Sequence, residues 1–205
     1  LILDFFEAAG IAIVGMDDYE ADDVIATFAT REKGPIRIAT GDRDLFQLVD
    51  EERDVKVAYL AKGISNHDLV NHSWIEKKYE IPGERYALFA MIRGDASDGL
   101  PGIRGIGEKG AAEIAKNFSS MADLIKAAKS EDPKLSPNHR KKLLADLDYA
   151  AVADRLVQCA RDVNLPKIDL SIPRSAKNAK YLETMKSDYG LGASVDRLLS
   201  ALNWS

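Results

Sequence analysis

Apolar residues recur along the first part of the chain in two different rhythms. Residues 11–14 form a short apolar run after Gly10 and before the polar turn of residues 15–18, which reads as a buried strand. From Glu20 to Arg31, Ala21, Val24, Ile25, Phe28 and Ala29 fall at helical spacing, and Gly34-Pro35 ends the element. Residues 36–40 are the next strand. Strand, helix, strand in that order is a βαβ unit, which predicts a parallel sheet with ligand sites at the carboxyl ends of its strands. Residues 55–60 read as a further strand, with Lys62-Gly63 as a hairpin turn. Beyond residue 66 the rhythm turns helical. Helices are predicted over 67–79, 84–92, 108–117 and 120–128, then over 134–147, 149–161, 178–189 and 195–202. Residues 165–173, with Pro166 and Pro173, read as an extended connector. The fold class is therefore α/β, a mostly parallel central sheet flanked by helices with a helical annex. Residues 1–9 read as a helix already under way and Leu1 is not methionine, so the sequence reads as a piece of a longer protein.

With 205 residues, 46% of them hydrophobic, the chain can bury a core without covalent staples. Its single cysteine, Cys159, excludes an intramolecular disulfide and a cysteine-based zinc cluster, and suits a reducing compartment. Cytoplasmic localisation, nucleoid-associated in a bacterium, is the expectation. No apolar run approaches the roughly 20 residues that span a bilayer, and no basic-then-apolar leader opens the sequence, so no membrane partner is expected. The net charge of −5 argues against nucleic acid on its face, because counterion release on phosphate needs lysine and arginine. Its distribution argues otherwise. Carboxylates gather at Glu20, Asp22, Asp23, Asp42, Asp44, Asp95 and Asp98, while Lys134, His139, Arg140, Lys141 and Lys142 form a basic run elsewhere.

The carboxylates fall into three groups, each with an ordinary alternative. Glu20, Asp22 and Asp23 open a helix, where acidic side chains favour the positive end of the dipole; Glu20 and Asp23 also share a face at i, i+3, so the three are able to converge on one cation. Asp42 and Asp44 follow the strand of residues 36–40 and project to the same side if the strand continues. One of them is enough to cap the turn of residues 45–49. Asp95 and Asp98 lie in Arg93-Gly94-Asp95-Ala96-Ser97-Asp98-Gly99, a loop that Asx turns alone would explain. Held close, seven carboxylates repel one another and are costly to desolvate unless divalent cations neutralise them. With no cysteine pair and three histidines, the donors point to Mg2+ or Mn2+ rather than zinc.

Gly102-Ile103-Arg104-Gly105-Ile106-Gly107-Glu108-Lys109 stands immediately before the helical run of residues 111–117. Glycines at this spacing permit a hairpin whose amides approach a phosphate at a helix N-terminus, with Lys109 supplying charge. This helix-hairpin-helix pattern is more specific than a lone glycine-rich loop. The basic run of residues 134–142 is a weaker signal, also explained by an exposed helix start capped by Ser136 or Asn138.

Taken in order, Tyr19-Glu20-Ala21-Asp22-Asp23, Thr40-Gly41-Asp42-Arg43-Asp44, Gly94-Asp95-Ala96-Ser97-Asp98 and the hairpin of residues 100–109 resemble the motifs of the 5′ nuclease family. That family includes the N-terminal exonuclease domain of bacterial DNA polymerase I and stand-alone flap endonucleases. The resemblance weakens after about residue 165. It implies a PIN-like core over residues 1–95, a helix-hairpin-helix DNA-binding region over 96–165 and a C-terminal helical extension over 166–205. It also implies two metals, the first served by Glu20, Asp22 and Asp23 and the second by Asp42, Asp44, Asp95 and Asp98. Gly102, Arg104, Gly105, Gly107 and Lys109 would grip DNA carrying a 5′ flap or 5′ end, and hairpin carbonyls would hold a potassium ion. Cleavage would leave a 5′-phosphate and a 3′-hydroxyl. In family members a further strand aspartate, another acidic residue and a flexible basic arch precede these motifs, and the 205 residues of this chain contain none of the three. Gly99 stands where polymerase-type members carry asparagine, which favours a stand-alone branch. A monomer is expected, and a fusion or functional link to a DNA polymerase is among the expected partners.

Two other functions use some of the same parts. A nuclease-deficient DNA-binding module needs the hairpin but not all seven carboxylates. A PIN-like ribonuclease needs clustered carboxylates but not the hairpin.

Overall fold

Strands β1 (Ile36–Thr40) and β2 (Val55–Tyr59) pair in parallel, Ile36 beside Val55 and Thr40 beside Tyr59, and β3 (Asp68–Val70) adds antiparallel to β2. The structure is a computed structural model and describes residues 1–204. Its chain divides into two compact units. One is Ile25–Val163; the other combines Leu1–Val24 with the segment that begins at Asn164.

The larger unit holds the sheet. The crossover between β1 and β2 carries a 3-10 helix, Asp44–Leu48, which buries Leu45, Phe46 and Leu48. Phe46 meets Tyr59 and Trp74 edge-on, at ring-centroid distances of 5.0 and 5.5 Å, and Tyr86 at 5.2 Å. Each such pair adds ~0.5–1.5 kcal/mol beyond burial, so the crossover is fixed against the sheet and the helices behind it. Helix α2 (Ala21–Arg31) ends under Arg53, whose Nη2 donates to the carbonyls of Ala29, Thr30 and Glu32. The last carbonyls of a helix need such donors. Helices α3 (His72–Tyr79), α4 (Tyr86–Arg93), α5 (Glu108–Asn117), α6 (Met121–Ser130), α7 (Pro137–Leu144), α8 (Leu147–Ala150) and α9 (Ala153–Val157) complete the unit around one apolar core.

In the smaller unit α1 (Ile2–Ala9) packs Ala8 against Leu182 and Met185 of α10 (Ala179–Asp188) and Val195 of α11 (Gly192–Ala201). The Asn178 amide donates to the Ala8 carbonyl at 2.8 Å, and Lys186 bridges Glu183 and Asp196. No helix among the described residues is long and apolar enough to cross a membrane.

The α/β class stands, but four details differ from expectation. Residues 11–14 form no strand: the Ile11 amide donates back to the Phe6 carbonyl as part of the α1 cap, and Ile13 is 47% exposed. The sheet is small and mixed, with one parallel and one antiparallel pairing rather than mostly parallel pairing. The helix expected over 67–79 starts only at His72, because the Asn71 side chain accepts the Trp74 amide at 2.8 Å and caps it there. The residues before it alternate, Leu69 exposed and Val70 buried, and pair with β2. The long helices expected over 134–147 and 149–161 are the shorter α7, α8 and α9, with Ser136 as the α7 cap. The expected helix over 108–117 is α5, and residues 165–173 carry no helix or strand.

One contact places the acidic loop. Gly94 (φ 73°) ends α4 and Gly102 (φ 64°) opens the hairpin, and their backbones lie against each other. A Cβ built on Gly94 would meet the Gly102 nitrogen at 2.5 Å, and one on Gly102 would meet the Arg93 carbonyl carbon at 2.6 Å. Gly99 (φ 71°) is a natural control, since nothing lies within 4 Å of its Cβ position. Gly99→Ala should therefore cost only the left-handed backbone penalty, about 1–2 kcal/mol. Gly102→Ala should cost on the order of 3–5 kcal/mol, because backbone must also move. Urea unfolding of both variants checks this; equal losses would mean the close approach gives way easily.

Candidate metal and nucleic-acid site

Asp42 and Asp44 follow the carboxyl end of β1. Thr40 Oγ1 accepts the Asp42 amide at 2.9 Å, and Asp42 Oδ1 accepts the Asp44 amide at 2.9 Å, so an Asx turn leads the chain from the strand into the 3-10 helix. Asp42 thus serves as the local cap as well as a site candidate. Asp44 is half-buried. Its carboxyl is pushed up to about 6, by burial first and then by Asp42, Asp98 and Asp95, while Arg93 pulls it down. These four aspartates therefore share one field.

Asp95 has the opposite fate. Its amide and carbonyl pair with those of Leu100, closing a tight loop whose exposed tip carries Asp98. Its Oδ1 accepts from the Ser97 amide, 3.1 Å, and the Ser97 hydroxyl; its Oδ2 takes Arg43 Nη2 at 3.1 Å and Arg93 Nη2 at 3.4 Å. The Ser97 hydroxyl, the Ser97 amide and the two arginines outweigh burial and hold this carboxyl below the usual range.

Asp22 and Asp23 stand in the first turn of α2, where Asp23 accepts the Glu20 amide at 3.2 Å. The helix-start role is thus present for Asp23. Among the described residues no three or more His, Cys, Asp or Glu side chains are grouped so as to hold a metal ion. The donor chemistry fits a hard divalent ion nonetheless. Asp42, Asp44 and Asp98 offer only carboxylate oxygen, and their repulsion, read at Asp44, is what a cation relieves.

The hairpin follows directly. Ile103 and Ile106 are buried, while Arg104, Gly105, Gly107 and Lys109 are exposed. The Ile103 amide donates to Ile92, and the Ile106 amide to Ile103. The first amides of a helix lack intrahelical acceptors, and α5 begins after Gly107 with no side-chain cap to take them. The Arg104 amide is already taken by Asp146 Oδ2 at 2.9 Å. Lys142 Nζ donates to the Gly105 carbonyl at 2.7 Å, which brings part of the basic run to the hairpin. Arg104, Asn138, Lys141, Lys142 and Asp146 line a cleft of about 310 Å³ there. Elsewhere in that run, Arg140 pairs with Glu131.

The sequence reading missed Arg43, Arg93 and Asp146 as structural partners of the site. A cation between two aspartates and an arginine just before Gly94-Asp95 were usable signals. Asp146, 8% exposed and 42 positions from Arg104, offered none.

Residues 1–80 match the model of the 5′-3′ exonuclease N-terminal resolvase-like domain, and residues 81–180 that of the 5′-3′ exonuclease C-terminal SAM fold. A 5′-3′ exonuclease of Streptomyces coelicolor is 45% identical over 96% of this chain, which spans 65% of that protein's length. A DNA polymerase I of Mycobacterium bovis is 32% identical over 95% of this chain and 21% of its own. Among solved structures, the bacteriophage T5 flap endonuclease in a pseudo-enzyme-product complex with DNA and metal ions superposes with a TM-score of 0.54 at 15% identity, over 92% of this chain and 61% of that one. That likeness is one of fold. Two successive models of a single family account for residues 1–180, and the chain belongs to the 5′-3′ exonuclease family.

Proposed function

We propose that this chain works in a metal-dependent 5′-3′ exonuclease and 5′-flap endonuclease that hydrolyses DNA phosphodiesters in replication and repair. One observation carries the proposal: the acidic loop and the hairpin are a single locked piece, joined by the Gly94–Gly102 approach and the Ile103–Ile92 hydrogen bond. A nuclease-deficient binding module has no use for such a lock, and a ribonuclease without the hairpin has nothing to lock to.

In this proposal Asp42, Asp44, Asp95 and Asp98 are the oxygen donors for one Mg2+ or Mn2+, and Glu20, Asp22 and Asp23 are donors for another. When bound, such a pair of cations supplies an activated water and neutralises the charge that builds on the phosphate. The chain's other residues position the DNA. First-turn amides of α5, Gly105, Gly107 and the side chains of Arg104 and Lys109 take backbone phosphates without reading bases. A potassium ion at the hairpin carbonyls belongs to the same proposal, although the Gly105 carbonyl already takes Lys142. The polymerase relative supports a link to DNA synthesis; a monomeric protein with a 5′-flap substrate is the form proposed.

Asp42→Asn keeps the side chain's size and its acceptor for the Asp44 amide but removes a charge. In the intact protein it should lower single-turnover cleavage of a 5′ flap by several orders of magnitude while leaving a calcium gel shift near normal. Near-normal cleavage would take Asp42 out of the site.

Lys109→Ala should weaken duplex binding equally across sequences and make its salt dependence shallower by roughly 0.9. An unchanged slope would remove Lys109 from the phosphate contacts.

Asp44 yields a test that needs no DNA. Its folded-state carboxyl titrates at about 6 against an ordinary 3.8, so the folded chain holds a proton that the unfolded chain releases between those values. The stability this group contributes is full below about pH 4 and lost as pH rises through about 6. Without divalent ions, Asp44→Asn should melt higher than wild type at pH 7.5, and the gap should close toward pH 4. Millimolar Mg2+ should raise the wild-type melting temperature more than the variant's. Equal shifts in both would argue against cation binding at Asp44.

A further inference from the structure

Asp95 has partners besides Arg43. Arg93 is enclosed, its side chain 11% exposed, with Nη2 at 3.4 Å from Asp95 Oδ2, Nε donating to the Gly94 carbonyl at 3.0 Å and the guanidinium 5.2 Å over the Phe89 ring. Ser97 occupies the other oxygen. Arg43 reaches the same Oδ2 at 3.1 Å with its side chain 43% exposed. A second, half-exposed cation on a carboxylate already paired adds little stability. Beyond that contact, Arg43 Nε and Nη1 donate to no protein acceptor among the described residues. The result is a guanidinium with unused donors, tethered to Asp95 and flanked in sequence by Asp42 and Asp44.

A polyanion approaching this group of aspartates is repelled until something positive meets it. Lys109 and Arg104 act on the hairpin; Arg43 is placed among the aspartates themselves. Its planar fork matches two phosphate oxygens, a geometry that an ammonium lacks.

We propose that Arg43 contacts a phosphate of the DNA strand being hydrolysed, and that Asp95 is the positioning residue that holds the guanidinium ready before the strand arrives. This rests on the nuclease function proposed above. A phosphate takes Nη1 or Nε together with the Nη2 hydrogen that Asp95 does not use, so occupancy costs no broken ion pair.

The test compares Arg43→Gln, Arg43→Lys and, as a control for lost charge, Arg37→Gln, whose arginine pairs with Asp54 near the start of β1. Binding of a 5′-flap DNA in Ca2+ is measured over a range of salt, and single-turnover cleavage in Mg2+ at saturating DNA; thermal melts report folding. Arg43→Gln should make the log–log salt dependence shallower by roughly 0.7–0.9. Its cleavage rate should fall on the order of 100-fold, less than the loss of an arginine finger. Arg43→Lys should keep the wild-type slope and recover only part of the rate. Arg37→Gln should match wild type in both. An Arg43→Gln variant with the wild-type slope overturns the proposal whether or not its rate falls, because Arg43 then acts on the site's structure alone. A wild-type protein with no salt-dependent DNA binding overturns the nuclease function and this contact together, so the two failures are distinguishable.

Discussion

The site depends on one steric fact, that two stretches of backbone meet where neither can carry a side chain. Gly94 and Gly102 close the distance between the end of α4 and the hairpin. The Asp95–Leu100 pairing forms between them, and Ile103 and Ile106 anchor the far side in the core. Loops usually move independently of what they connect. In this chain a loop bearing two aspartates and a hairpin with a bare helix N-terminus share one short, constrained backbone. Their relative placement is fixed by covalent geometry and close backbone packing as well as by the buried Ile103 and Ile106.

Within that frame the aspartates are not equivalent. Asp95 is saturated by Ser97, Arg93 and Arg43 and stays ionised; Asp44, partly buried and surrounded by negative charge, resists ionising. One carboxylate has its compensation inside the protein, and the other lies among like charges. A constellation built wholly of the first kind would be stable and inert, and one built wholly of the second would strain the fold. The observed mixture lies between those limits.

Much of this was legible in the sequence. Helix α5 and the glycine hairpin before it could be read from spacing because each rests on local rules of periodicity, turn chemistry and capping. Residues 11–14 failed for a physical reason: an apolar run reports burial, whereas a strand needs a neighbour to take its amides. The segment before His72 failed because three alternating residues are too few to outweigh a helical rhythm that follows. The Arg43–Asp95 pair and the Asp146–Arg104 bond span 52 and 42 positions. No window along the chain contains both partners, so only folding brings them into view.

The two compact units also differ in when they are able to form. Ile25–Val163 is one continuous stretch, whereas the smaller unit joins α1 to α10 and α11, so its core of Ala8, Leu182, Met185 and Val195 needs both stretches of chain. During synthesis from the amino end, α1 emerges early and waits for the rest of its core on the order of 10 s at typical elongation rates. The larger unit is complete before that partner exists. Among these residues, the stretch that carries the aspartates and the hairpin is therefore made before α10 and α11 exist to pack against Ala8.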